Sequence, residues 1–129
     1  MTSETAIANQ TRRDFAFIGP LWRNNVGALL DRRGVPIRYG LANETKDENQ
    51  RTKSSDLIGL TPTLVTQEMV GSIVGIFTAL ETKHSDWYFN GADKHTVAQF
   101  NFHNIVRNAG GFAGFVSDPN QIHEIVGRK

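Results

Sequence analysis

Residues 73–83 read Ile-Val-Gly-Ile-Phe-Thr-Ala-Leu-Glu-Thr-Lys, and this run constrains the fold more than any other stretch of the chain. In an extended backbone, Ile73, Gly75, Phe77 and Ala79 share one side and Val74, Ile76, Thr78 and Leu80 the other. Both sides are therefore mostly apolar until Glu81. A strand of that kind belongs in the middle of a sheet covered on both faces. The pattern predicts an α/β protein with a mixed central β-sheet flanked by helices. At 129 residues the chain has the size of a single domain. A domain of this size buries about two thirds of the surface it exposes when unfolded, enough for a core without staples. None are available in any case, because the chain has 0 cysteines and so neither disulfides nor a zinc-thiolate site.

The rest of the chain reads as elements around that strand. Residues 1–14 show no sustained period and are expected to be a flexible arm, with the folded domain at 15–129. Pro20 stands where a helix begins, and Leu21, Trp22, Val26, Leu29 and Leu30 recur at spacings of three and four before Gly34. That spacing predicts an amphipathic first helix. An edge strand is expected over 35–41, near Pro36. A mobile loop is expected over 42–55, where Glu44, Lys46, Asp47, Glu48, Arg51 and Lys53 crowd a stretch almost empty of aliphatics. Strands at 56–60 and 63–66 lead to the long one at 73–83. A loop at 84–94 carries Trp87, Tyr88 and Phe89, and a helix at 96–109 follows with Ala98, Phe102, Ile105 and Ala109 as its stripe. Gly110 and Gly111 end that helix. A strand at 112–116 comes next, making strand, helix, strand a right-handed crossover. Asp118, Pro119 and Gln121 start a last short helix by reciprocal capping.

Bulk charge offers no guide to partners, since Lys and Arg number 14 against 13 for Asp and Glu. Chemistry must come from local placement. Glu81 and Lys83 are two apart on a strand, so their side chains leave one face together at its carboxyl end, where ligands of open α/β sheets collect. A carboxylate there can hold a divalent ion, and the ammonium can orient a water or offset phosphate charge. A surface ion pair is the plain structural alternative. Asp56, at the head of an apolar run, is either a second ligand from a neighbouring strand or a residue that starts the strand. Gln99 pairs with Thr96 in the Thr-x-x-Gln pattern of a capping box and can also face a phosphate near the helix start. His84, His95, His103 and His123 have no metal spacing and read as surface or packing residues, with His84 and His95 kept as phosphate contacts. The aromatics of the 84–94 loop either stack on bases or form satellite core. The glycine-rich 110–114 stretch precedes a strand, which excludes a phosphate loop of the Walker type.

Several segments together resemble a known family. They are Leu21-Trp22-Arg23-Asn24-Asn25-Val26-Gly27-Ala28, Ser55-Asp56-Leu57-Ile58-Gly59-Leu60-Thr61-Pro62, Thr66-Gln67-Glu68-Met69-Val70-Gly71, Phe77-Thr78-Ala79-Leu80-Glu81-Thr82-Lys83, Gln99-Phe100-Asn101-Phe102 and Ala109-Gly110-Gly111-Phe112-Ala113-Gly114. In order and spacing, over roughly residues 20–117, this resembles the virus-type replication-repair nuclease family (VRR-NUC) of the PD-(D/E)xK nuclease superfamily, in its stand-alone phage form. The resemblance implies a single-domain, restriction-endonuclease-like α/β fold. It implies Asp56, Glu81 and the Thr82 backbone carbonyl as ligands of Mg²⁺ or Mn²⁺, Lys83 as the catalytic lysine, and Gln99 as a supporting catalytic residue. Superfamily members often add a first-helix glutamate. Residues 21–30 hold no acid, leaving Asn25 as a neutral substitute.

The implied activity is metal-dependent endonucleolytic hydrolysis of branched or junction DNA in phage replication, recombination or repair, by a homodimer. DNA contacts are expected from Lys46, Arg51, Lys53, His84 and His95. A module that keeps the fold and binds DNA without cutting is the alternative, and a small scaffold with accidental acids is a third class. No stretch approaches the ~20 apolar residues of a membrane span, and residues 1–10 lack the apolar core of a signal peptide. The expected location is the cytoplasm, that of the host if the chain is phage-encoded.

Overall fold

Ser3 starts the first element of the computed structural model, which describes residues 2–127; Met1, Arg128 and Lys129, the ends of the expected arm and domain, lie outside the described residues. The Ser3 hydroxyl accepts a hydrogen bond from the Ala6 amide at 3.1 Å and caps helix α1, Glu4–Phe15. The residues expected to form a flexible arm are thus helical. Glu4 in the first turn and Arg12 and Arg13 in the last complement the helix dipole. Gln10 donates to Asp14 and Arg13 to Gln10, both at 2.7 Å. None of its residues is buried. Local bonds rather than an apolar stripe hold it, which is why periodicity does not reveal it.

The described chain groups into two compact units, Met1–Phe17 with Leu21–Gly59 and Ile18–Pro20 with Leu60–Lys129. In the first, strand β1 (Leu21–Arg23) pairs antiparallel with β4 (Leu57–Gly59), Trp22 opposite Ile58. Strands β2 (Gly27–Leu30) and β3 (Pro36–Tyr39) form a hairpin with Leu29 opposite Ile37. The helix expected from residue 20 to residue 30 is therefore two strands. Its three-and-four spacing is compatible with both structures, and the decision falls to two details outside that stripe. The Tyr39 ring lies where a Cβ on Gly27 would stand. Asn43, only 3% exposed, donates from Nδ2 to the carbonyls of Gly27 (2.8 Å) and Tyr39 (2.9 Å). Asp31 closes the hairpin by accepting from the Arg33 and Val35 amides, with Gly34 at φ +79°. The edge strand expected at 35–41 is β3. The expected loop at 42–55 contains helix α2, Lys46–Arg51, capped by the Thr45 hydroxyl at 3.0 Å from the Glu48 amide. Thr45-x-x-Glu48 is a capping-box pattern, a signal outweighed by the polar composition.

In the second unit the long strand is short. Only Thr78–Thr82 forms β5; Ile73 is 100% exposed and the side chains of Val74 and Ile76 also face solvent. Residues 63–66 pair with nothing among the described residues, and a single 3₁₀ turn follows at Gln67–Met69. β5 runs parallel to β6, Phe112–Val116, with Glu81 opposite Phe115, and helix α3, Lys94–Asn108, connects them. The predicted strand, helix, strand unit is present. Gly110 at φ +94° ends α3.

The buried face of α3 carries Thr96, His103 and Val106, displaced from the expected stripe, whose Ile105 is exposed. Val106 is 0% exposed, Ala113 and Val116 of β6 are also buried, and α3 packs on β6 in the core of this unit. Short helix α4, Gln121–Ile125, packs on β6. The Gln121 part of the expected capping is present, its Oε1 accepting from the Ser117 and Asp118 amides at 2.9 and 3.3 Å, but the helix begins at Gln121, so Asn120 rather than Asp118 is its N-cap and Pro119 lies before it. The architecture is mixed α/β. In place of one mixed central sheet, the described residues form three two-stranded sheets. With residues 73–76 exposed and unpaired, the apolar run supplies one short strand rather than the centre of a sheet.

Candidate functional site

Strand β5 alternates as a half-buried strand should: Ala79 and Glu81 are partly covered, Thr78, Leu80 and Thr82 exposed. Lys83, one step beyond the strand, continues the covered side, and its amide donates to the Val116 carbonyl at 2.8 Å. Glu81 and Lys83 therefore share a face, as their spacing predicts. Lys83 Nζ donates to Gln99 Oε1 of α3 at 2.8 Å. The same ammonium sits 5.7 Å from the Trp87 ring centre and 5.8 Å from that of Phe115. One directional hydrogen bond and two ring faces hold a cation whose flexible stem would otherwise sweep a wide volume.

Gln99 is thus committed to Lys83 rather than to the helix start. The expected capping box is replaced by Asp93, which accepts from the His95 amide at 3.1 Å and from the Thr96 hydroxyl at 2.7 Å. Those bonds, the Thr96 hydroxyl first, hold the Asp93 carboxyl below its ordinary value of 3.8. Thr96 is buried and donates its hydroxyl, so it lies inside the helix rather than at its cap.

The aromatics of the 84–94 loop divide. Trp87 and Phe89 pack around Phe115, with ring centres 4.7 and 6.2 Å away, and Phe89 meets Phe100 edge-on at 5.3 Å. Trp87 is half-buried and belongs to a satellite core, whereas Phe89 is 47% exposed. Tyr88 faces solvent. His84, His95 and His123 are exposed, whereas His103 is 3% exposed and stands edge-on to Phe115 at 4.6 Å. Its Nδ1 has no hydrogen-bond partner among the described residues. Burial lowers the His103 pKa below its ordinary 6.5; Arg107 lowers it further and Glu81 opposes. The sequence set His84 and His95 apart as phosphate contacts and left His103 with His123 among surface or packing residues. The available signal was the four-residue step from Gln99, which puts His103 on the same face of α3.

Asp56 belongs to the first unit, immediately before β4, and is exposed. Its position is set by Asn24, whose amide donates to the Asp56 carbonyl at 2.8 Å. The Asn24 side chain donates to Ser54 Oγ (2.7 Å) and the Ser55 carbonyl (2.8 Å) and accepts from the Leu41 amide (3.1 Å). Asn24, rather than the neighbouring Asn25, is the structural asparagine here. Asn25 lines a cleft with Asp56, Arg12, Arg23 and Glu4 of α1, an acid that the sequence reading placed in the arm. Of the expected DNA contacts in 42–55, Lys46 is exposed on α2, Arg51 is tied to Asp47 at 3.1 Å, and Lys53 bonds Asn49 at 3.0 Å.

The carboxylates of Glu81 and Asp56 have neither a hydrogen bond nor an ion pair among the described residues. No group of three or more His, Cys, Asp or Glu able to hold a metal occurs among the described residues. Glu81 and the Thr82 carbonyl lie in the second unit and Asp56 in the first, and a carboxylate of either kind suits a hard ion that keeps much of its water. No helix among the described residues is long and apolar enough to cross a membrane. The chain matches no family model, no curated protein and no solved structure.

Proposed function

We propose that this chain is a metal-dependent endonuclease that hydrolyses phosphodiester bonds of branched DNA, in the setting of phage replication, recombination or repair. The observation that carries the reading is the Lys83 ammonium, held by Gln99 and two aromatic rings on the same face as an unpaired Glu81. A fixed cation beside a carboxylate with no internal partner is an arrangement for an external anion. It stands at the carboxyl end of a parallel strand pair joined by a helix, the part of the fold that best supports a restriction-endonuclease-like assignment.

In this reading Asp56, Glu81 and the Thr82 carbonyl are the groups that would hold Mg²⁺ or Mn²⁺, and the chemistry such an ion would supply is a more acidic water and an offset to the phosphate charge. Lys83 orients the attacking water and stabilises charge that develops on the phosphoryl oxygens. Gln99 keeps the Lys83 ammonium in place through an acceptor that carries no charge of its own, so the full positive charge remains available to the substrate. Water attacks phosphorus directly, so no residue forms a covalent intermediate. The chain is further proposed to act as a homodimer, which suits a junction with two symmetric strands to cut. Light scattering that reports a fully active monomer would overturn that part.

The enzymatic part is tested by a digest of plasmid, hairpin, flap and four-way junction DNA with Mn²⁺. Asp56→Asn, Glu81→Gln and Lys83→Ala are each expected to lower single-turnover cleavage by about a hundredfold or more. The first two should weaken Mn²⁺ binding in calorimetry, and Lys83→Ala should not. Cleavage by Asp56→Asn at the wild-type rate would end the assignment.

A further inference from the structure

Asp56 stands on a rib between two clefts of the first unit. On one side, α1 and β1 enclose about 560 Å³, with Arg12 and Arg23 in the walls. On the other side lies a cleft of about 340 Å³ with Arg38 and Lys53 in its walls. Asn24 and Asp56 line both clefts, so the rib is the short segment that Asn24 ties down.

The cations of the two clefts are electrically uncommitted. Among the described residues the one ion pair joins Arg51 and Asp47, and neither lines a cleft. Arg38 bonds only the neutral Asn43 oxygen at 3.2 Å, and Lys53 only the neutral Asn49 oxygen at 3.0 Å. Arg12 and Arg23 form no side-chain hydrogen bond among the described residues. Arginines crowd this unit: among the described residues, Arg107 is the one arginine outside it. The first cleft sets Arg12 and Arg23 beside Glu4 and Asp56 without an ion pair to either, and the second sets Arg38 and Lys53 beside Asp56 alone. A repeating anion with fixed spacing, rather than a single small anion, is what two such clefts separated by a rib fit.

We infer that the two clefts are a phosphate track for one DNA strand. Arg38 and Lys53 hold phosphates on one side of Asp56, and Arg12 and Arg23 hold those on the other. The inference rests on the nuclease reading and extends it by naming the groups that grip the substrate. Contacts of this kind fix register without reading sequence, so the track is indifferent to base identity and sensitive to salt.

The test measures affinity of the full chain for a labelled four-way DNA junction across a salt series, in EDTA so that cleavage does not intrude. Arg12→Ala/Arg23→Ala and Arg38→Ala/Lys53→Ala are each expected to weaken binding by about tenfold at moderate salt. Each should reduce the slope of log affinity against log salt by roughly 1 to 2, the contribution of two phosphate contacts. Arg13→Ala removes one positive charge from α1 outside both clefts and should leave the slope unchanged. Thermal melting of each variant separates lost contacts from lost folding, and Arg12→Gln/Arg23→Gln repeats the measurement if an alanine pair fails to fold. If the wild type cuts the junction but both pairs behave like Arg13→Ala, the track is wrong and the nuclease reading survives. If the wild type shows no salt-dependent binding and no cleavage, both fall together.

Discussion

Gln99 and His103 lie one helical turn apart on α3 and illustrate two uses of a polar side chain in a half-buried place. Gln99 spends its carbonyl oxygen on Lys83. Replacing it with Ala removes an acceptor from a charged donor, a change of about 1.5–3 kcal/mol, and the expected result is a loss of roughly tenfold to a hundredfold in single-turnover cleavage. Gln99→Glu keeps an acceptor in reach but sets a negative charge against the Lys83 ammonium, so it should keep the contact and still leave the rate low. Cleavage by either the Ala or the Glu variant at the wild-type rate would remove Gln99 from the mechanism. His103 is held neutral by burial, reinforced by Arg107 and opposed by Glu81. Because its folded pKa is depressed, its contribution to stability is complete above the ordinary 6.5 and is lost as pH falls through the folded value. Melting temperature should therefore drop on acidification in a window that opens at the ordinary histidine value of 6.5, whereas that of Asp93 opens at 3.8. His103→Leu should flatten that first drop, and an unchanged profile would contradict the assignment. Residue types and spacings made Glu81, Lys83 and Gln99 visible in the sequence. The Lys83–Gln99 bond was not legible there, because a capping pattern explained Gln99 equally well.

At the level of elements, polar detail decided where apolar spacing could not. The stretch around Trp22 and Leu29 fits a helical stripe, yet Asn43 serves the Gly27 and Tyr39 carbonyls and holds a hairpin together. Asn43→Ala would strand two carbonyls in a covered place, costing about 2 kcal/mol. The melting temperature should fall by several degrees, while Asn49→Ala, which loses only a bond to exposed Lys53, should change it little. Comparable melting of the two variants would show that the hairpin does not depend on Asn43. The elements that sequence placed well, β3, α3, β6 and α4, have strong punctuation: Pro36, Gly110, and the Asp118 to Gln121 hydrogen bond. Those it missed lack an apolar code. Helix α1 buries nothing and α2 is six polar residues, so only their caps, Ser3 and Thr45, announce them.

Across the whole molecule, burial is uneven. The largest fully buried side chains are Val106 and Thr96, both on α3, while Leu29, Leu30 and Ile37 of the hairpin are exposed. Amide exchange should accordingly be slowest in α3 and β6 and fast in α1 and the β2–β3 hairpin, whose backbone bonds have little covering them. Uniform protection would show that the exposed apolar side chains are covered in solution. The order in which the chain is made adds a consequence. Every strand of the first unit exists once Gly59 has been synthesised, but β5 has no parallel partner until Phe112–Val116 has followed it out of the ribosome. A nascent chain that stops short of Phe112 also lacks Phe115, one of the two rings beside Lys83. The cation proposed to act on phosphate is therefore set last, and prematurely ended chains carry the strand that bears Glu81 and Lys83 without the framework that arms it.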